Sequence, residues 1–282
     1  LRGAVLLAGC DDGIELIANR REELATNFKL DISNTDAQLR MLNKLATYRA
    51  AVAADIPTPR FWVVASRAQI VAIKDELRFP LLVKPLLSHV FAQRIGKGKF
   101  VRAKTFDDVL AGFQTLNEKA GIEVMLVENI PGPDDRLCSY YTYLDDRGEP
   151  LFDFTKRVIR RSPMNRGPAC YHETDWNPEV KDLALRLFRH VGLRGLANAE
   201  FKRDHRDGQL KLIECNARFT AANCLVAASG FDLARFVYNR LTDQPQEPLL
   251  EYEKGLRLWD PVLDCRAFLE LRRQGQLSFG QW

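Results

Sequence analysis

Metal and disulfide chemistry have little to work with in this chain. Its 282 residues include four histidines and six cysteines. Cys10, Cys138, Cys170, Cys215, Cys224 and Cys265 are scattered, without CxxC spacing and without histidines at ligand distance. That argues against a structural zinc site and a disulfide framework, and for reduced thiols in a cytoplasmic protein. Long apolar runs are missing too; stretches such as "AVLLAG" are far too short to span a bilayer. The opening "LRGAVLLAGC" has no secretory-signal pattern, and a first residue of Leu rather than Met suggests N-terminal trimming. Neither charge sign dominates, with 41 basic against 37 acidic residues and a net charge of +4. Neither a nucleic acid nor a membrane is therefore expected as a partner. Repeats and low-complexity tracts are absent as well.

What remains has the composition of a globular protein, 46% apolar and 28% charged, long enough for two subdomains. "AVLLAG" reads as a buried strand, followed by a helix over "DDGIELIANRREEL". A helical segment runs from "NTDAQLR" to about Ala54 and stops before Pro57 and Pro59, which cannot continue a helix. From Phe61 to about Ala120 the pattern is a small α+β unit with strands "FWVVAS", "PLLVKP" and "KFVRA". Within it Ser66 caps one helix, "LLSHVFAQRIGKG" reads as a loop, and Thr105 with Asp108 opens a second helix as a capping box.

The second half is sheet-rich: "EVMLVENI", "LCSYYTYLD", "LFDFTKRVIR", "LANAEFKRD" and "QLKLIECNARF", with hairpin turns at "DRG" and "RDG". The helix "PEVKDLALRLFRHVG" interrupts it, with Asn177 as N-cap, Pro178 in the first turn and Gly192 just past the end. A last helical region, "ANCLVAASGFDLARFVYNRLTDQ", leads into the tail.

Four stretches have the residue types for chemistry. In "LIECNARF" the side chains of Glu214, Asn216 and Arg218 share one face of a strand. Glu200 lies on the preceding strand, across the turn "HRDG". Two carboxylates in near register repel unless a cation lies between them, and hard oxygen ligands suit Mg²⁺. A solvated hairpin face with incidental acids is the alternative. Lys84 ends the apolar strand "FPLLVKP", either as a surface charge whose stem packs against the protein or as a cation placed at a phosphate. "LVENIPGPDD" breaks from a strand into a Pro-Gly-Pro turn. It can offer backbone groups of Glu128 and Ile130 to a flat heterocycle and an acid to a sugar, link two lobes, or do both. In "KRVIRRSPMNRG" strict alternation puts Arg157, Ile159 and Arg161 on one face and Lys156, Val158 and Arg160 on the other. That run is a solvated face or a site for a small anion; without interleaved aromatics it does not suit nucleic acid.

The order of these pieces is itself informative. "LNKLATYRAAVAADIPTP", "FPLLVKP", "VENIPGPDD" and "GLANAEFKRDHRDGQLKLIECNARF" together resemble the ATP-grasp superfamily. Within it the chain is most similar to ATP-dependent carboxylate–amine ligases of the D-aspartate ligase type. Carbamoyl phosphate synthase ATP-binding domains and D-alanine–D-alanine ligases resemble it less. The resemblance covers about residues 40–240 and implies an α+β (α/β) ATP-grasp fold, two α+β lobes clasping ATP. A remnant of a pre-grasp subdomain would occupy 1–40, the small lobe 41–120, the large lobe with the metal site 121–250, and a C-terminal tail 251–282.

The resemblance also implies roles. Lys44 and Lys84 would reach the phosphates, Glu128 and Ile130 would hold adenine by their backbone, and Asp134 or its neighbour Asp135 would bind the ribose. Glu200, Glu214 and Asn216 would be the ligands of two Mg²⁺ ions, with Mn²⁺ as a substitute. Arg218 would sit near the acyl-phosphate, and Arg157 would contact phosphate. The expected activity joins a small-molecule carboxylate to an amine through an acyl-phosphate; a homodimer is compatible with it. The competing expectation is a non-catalytic ATP-binding regulatory or accessory module, against which the intact acid–acid–amide set speaks. Two features depart from the family pattern. The loop over the phosphates has only Gly96 and Gly98, with Lys97 and Lys99 available for contacts, and Val127 stands where an acid is frequent.

Overall fold

The computed structural model of the chain describes residues 2–96, 98–244 and 251–282, so the expectation for Lys97 lies outside the described residues. At the N-terminus two short parallel strands, β1 (Ala4–Leu6) and β2 (Phe28–Leu30), are joined through helices α1 (Asp11–Asn19) and α2 (Arg21–Ala25). The single helix expected up to Ala54 is two, α3 (Thr35–Leu42) and α4 (Lys44–Ala53). Asn43 splits them: its side chain accepts the N–H groups of Leu45 and Ala46, so a new helix starts there. The break puts Lys44 in a first turn, where its backbone N–H donates to the Leu86 carbonyl at 2.9 Å and its side chain is buried.

The small lobe contains β3 (Phe61–Val63), α5 (Arg67–Ala72), β4 (Leu81–Pro85), α6 (Ser88–Ile95), β5 (Val101–Ala103), α7 (Phe106–Phe113) and β6 (Val124–Glu128). Its four strands form an antiparallel sheet in the order β3-β6-β4-β5. The capping box at Thr105 and Asp108 is present. Ile70, Leu81, Val83, Val109 and Phe113 fill its core. Two expectations change here. "SHVFAQRI" is helix α6 rather than loop, anchored by the buried Phe91, because its apolar stripe is too short to stand out in the sequence. Strand β6 pairs with both β3 and β4, so the small-lobe sheet runs to Glu128 rather than ending near 120.

The large lobe holds β7 (Leu137–Leu144), β8 (Phe154–Arg161), β9 (Ala169–Asp175), α8 (Pro178–Val191), β10 (Gly195–Arg203) and β11 (Leu210–Asn216). It continues with α9 (Asn223–Ala228), α10 (Leu233–Leu241), β12 (Arg257–Trp259) and α11 (Pro261–Arg273). The sheet order is β11-β10-β7-β8-β9-β12, antiparallel throughout. Helix α8 has the caps its sequence predicts, Asn177 accepting from Val180 and Gly192 at φ 68°. Strand β9 was not foreseen, and β12 makes the tail part of this sheet.

One sheet face, with Tyr140, Ala199, Phe201 and Leu212, packs against α8 and also against α4, which belongs with this core although its sequence position suggests the small lobe. The register puts Ser139, Glu200 and Lys156 on the opposite face, towards the small lobe. Among the described residues no helix is long and apolar enough to cross a membrane.

Candidate active site

Glu200 and Glu214 stand directly opposite each other on β10 and β11, and Asn198 faces Asn216 two positions on. A β-bulge makes this possible. The ladder pairs Phe201 with Leu212 but Glu200 with Glu214, so Ile213 is the extra residue. Inserting it lets Leu212 remain in the core while Glu214, two residues later, turns to the other face. The Ile213 carbonyl released from the ladder accepts the buried Tyr48 hydroxyl at 3.2 Å. Asn216 donates its amide to Asn198 Oδ1 at 3.2 Å, and Asn198 donates in turn to the Tyr140 carbonyl at 3.0 Å. That chain orients Asn216 with its Oδ1 as the end available to a cation. Across the sheet the same row continues as Ser139 and Lys156.

Cations surround the acid pair. A cleft of about 230 Å³ is lined by Lys44, Lys84, Lys99, Lys156, Arg161, Arg166 and Arg218 together with Glu200, Glu214 and Asn216. Burial pushes the Glu214 carboxyl up, but Lys99, Lys44, Lys84 and Arg218 outweigh it and bring its pKa down to about 2. Glu200 goes the other way: burial and the neighbouring Glu214 raise it, against Lys156, Lys99 and Arg161. Burial and then Lys44 hold Lys84 down to about 8. Lys156 is also lowered by burial, partly offset by Glu200, and its ammonium lies 5.8 Å from the Tyr141 ring centre. The cleft thus contains several buried ammonium groups and one carboxyl inclined to keep its proton, all of which polyanion and cation binding together would relieve.

The residues fit a hard divalent cation on these grounds. Two opposed carboxylates and an oriented amide oxygen offer a donor set, and Glu200 is raised first by burial and then by Glu214, a repulsion that a cation would remove. Among the described residues no three His, Cys, Asp or Glu side chains converge as a metal-binding group. The remaining ligands would therefore be water and phosphate oxygens.

Of the ten site residues expected from the sequence, Lys44, Lys84, Glu200, Glu214, Asn216 and Arg218 line this one cleft. The other four lie elsewhere. Arg157 is on the back of the sheet, pairing with Glu173 at 3.0 Å and lining a separate cavity. The cation that β8 brings to the cleft from that part of the strand is its neighbour Lys156. Register shifts between Val158 and Arg160 and between Arg160 and Arg161 break the expected alternation. Arg160 consequently joins the back face, where it binds Asp264, and Arg161 reaches the cleft.

Asp134 is buried and accepts from Arg161 Nε at 3.1 Å and from the Asn165 N–H at 3.0 Å, while Asp135 is exposed beside it. Glu128 donates its N–H to the Arg60 carbonyl at 2.8 Å and holds Arg206 by its carboxylate at 2.6 Å. The Ile130 carbonyl accepts from Lys202 Nζ at 3.2 Å. A purine edge at this hinge would have to displace Lys202 or use neighbouring backbone groups.

Several participants had no sequence signal of their own. Lys156 is one charge in a basic run, and its burial is visible only in the fold. His172, on the unforeseen β9, lines the cleft, and burial with Lys156 pushes its pKa down to about 3. Asp11 ion-pairs with Arg218 at 2.6 Å from 207 positions away. The connection between β8 and β9 roofs the cleft through Arg166, Gly167 and Pro168. A side chain at Gly167 would meet the Ser162 carbonyl oxygen at 1.9 Å, so that tight return requires glycine.

No protein-family model matches the chain. It is 27% identical to the D-aspartate ligase of Enterococcus faecium, over 96% of this chain and 67% of that protein. It is 28% identical to the D-alanine–D-alanine ligase of Ectopseudomonas mendocina, over 72% of this chain and 65% of that protein. The chain thus spans about two thirds of the length of these relatives. The biotin carboxylase of Campylobacter jejuni, solved as a β,γ-ATP complex, superposes with a TM-score of 0.64 at 14% identity, over 90% of this chain and 56% of that one. At that identity the likeness concerns the fold alone, and the fold is ATP-grasp. The chain has the ATP-grasp fold, and its sequence is similar to those of carboxylate–amine ligases.

Proposed function

We propose that this protein is an ATP-dependent ligase that joins a carboxylate to an amine through an acyl-phosphate. The observation that carries the reading is the Glu200–Glu214 pair with Asn216, ringed by buried lysines in a cleft between two lobes. Lys44 and Lys84 would hold the triphosphate, and Lys99 and Lys156 would add charge along it. Glu200, Glu214 and Asn216 would hold two Mg²⁺ ions, which when bound supply neutralisation of charge at the phosphate oxygens. Arg218, whose planar fork suits carboxylate and phosphoryl oxygens, would orient the acid.

A carboxylate oxygen then attacks the γ-phosphorus and ADP leaves. The amine next attacks the acyl carbon, phosphate leaves with the bonding electrons, and the surplus amine proton is lost. The relatives' names put D-aspartate and D-alanine first among the acids to be tried.

The test uses Mg·ATP, a panel of carboxylates and hydroxylamine in place of the amine. The expected result is an acid-dependent hydroxamate with matching ADP release. If ATP raises the melting temperature by mass action yet no acid yields hydroxamate or ADP, a non-catalytic ATP-binding module is the better account.

A further inference from the structure

Arg218 is already occupied by a carboxylate. Its Nε donates to Asp11 Oδ1 at 2.6 Å, and its Nη1 donates to the Phe219 carbonyl at 3.1 Å. The pair is secluded, with side-chain exposures of 20% and 21%. It lines a chamber of about 90 Å³ shared with Lys44, Lys99, Glu214 and Asn216. Glu214 belongs to the acid pair, so Asp11 is the other acid in the described lining of this chamber.

Helix α1 does not depend on Asp11 for its place. Gln93 of α6 donates to Asp12 at 3.3 Å, and Glu15 lies 3.0 Å from His89 Nε2. Asp11 can therefore release Arg218 by a side-chain rotation while α1 stays docked on the small lobe.

We propose that Asp11 is an internal stand-in for the substrate carboxylate. It holds the Arg218 guanidinium in the empty site and is displaced when the acid binds, so it sets how much acid is needed. The inference rests on the ligase reading for the identity of what displaces it. The competition itself is a property of the two side chains. Replacing Asp11 by Asn keeps the shape and removes the competing charge. A half-buried ion pair at the upper end of the surface range then implies about fivefold tighter carboxylate binding.

The experiment titrates acetate, the simplest monocarboxylate, into the full chain while following the arginine Nε–H resonances. Arg218 is identified by the signal lost in Arg218→Lys. The expected result is a shift of that signal at about fivefold lower acetate in Asp11→Asn than in the unaltered chain, with Asp11→Glu behaving like the unaltered chain. Equal or weaker acetate binding in Asp11→Asn would overturn the proposal, because Asp11 would then be a tether or part of the acid's own binding site. An Arg218 signal that acetate moves in none of the variants would overturn it too. ATP-induced melting shifts on the same samples report separately on the ligase reading, which can fail while the acetate comparison stands.

Discussion

Strand β8 sends cations to both faces of one sheet, and their surroundings could hardly differ more. On the cleft face Lys156 is buried above the Tyr141 ring in the row of the acid pair, and burial weakens its hold on its proton. On the back face Arg160 gives both arms of its fork to Asp264, at 2.5 and 2.9 Å. The indoles of Trp259 and Trp282 also donate to Asp264, at 3.0 and 2.7 Å. The back-face charge is saturated with partners, and the cleft-face charge is held where a ligand can complete it. Charge density along a strand therefore says little about function. Saturation of the partners says more, because a buried ionic group with a full set of hydrogen bonds already has its reason to be there.

Substitutions on the two faces should separate accordingly. The largest effect is expected in the acid pair. Glu214→Ala should cut Mg·ATP-dependent turnover on the order of 10³-fold, as removal of preorganised electrostatic stabilisation does. Its melting temperature should fall, since Lys99, Lys44, Lys84 and Arg218 lose the carboxylate that they hold well below its usual pKa. Coupled ADP-release assays with a thermal melt check both halves, and undiminished turnover would remove the metal assignment. On the back face, Asp264→Ala should lower stability alone. It strands Arg160, whose side chain is 12% exposed, and costs about 3–5 kcal/mol of stability. Chemical denaturation measures that loss, and turnover per folded molecule should be unchanged. Lys156→Met comes third, with turnover reduced about 100-fold and no loss of stability. A variant that unfolds rather than slows would place Lys156 with Arg160 as a structural cation and erase the contrast between the faces.

The same strands show how much of the site was legible beforehand. Glu214 and Asn216 alternate regularly at the end of β11 and Arg218, just beyond it, lines the same cleft, so the polar face of "LIECNARF" was readable, as was the match of Glu200 to Glu214 across the turn. The bulge at Ile213 lies just before that stretch and does not disturb it. In β8 the irregularities fall inside the charged run, at Val158–Arg161, and they exchange the faces of Arg160 and Arg161. Nothing in "KRVIRR" marks them, since a bulge is set by the partner strand and by what packs on either face. Arg157 failed for a simpler reason: alternation separates it from Lys156, and the sequence did not say which face met the cleft. Caps were legible because they are local, as at Asn177 and Thr105. Asn43 has the same chemistry, but the helical pattern on both sides concealed the break that turns Lys44 inward. Long-range pairs such as Asp11 with Arg218 leave no local trace.

The smallest effect, and the most informative about the small lobe's side of the cleft, is one of pH. Lys84 is 6% exposed, with its ammonium 5.6 Å from the Tyr48 ring centre. Burial, then the Lys44 charge, lower its pKa from 10.5 to about 8, against the pull of Glu214. The folded value lies below the unfolded one, so unfolding takes up a proton between those limits, and the ligand-free chain gains stability as pH rises across them. ATP acts in the opposite sense. Its phosphates favour the ammonium and raise the pKa, so binding above pH 8 must draw a proton from solvent. Affinity should then fall by at most about tenfold per pH unit above pH 8, with uptake approaching about one proton near pH 9. Calorimetric titration of Mg·ATP in two buffers of different protonation enthalpy reads that uptake directly. Lys84→Met should abolish it while leaving weaker binding behind. If the uptake persists in that variant, the proton goes to Lys44, which burial lowers as well, and the first phosphate contact belongs to helix α4 rather than to β4.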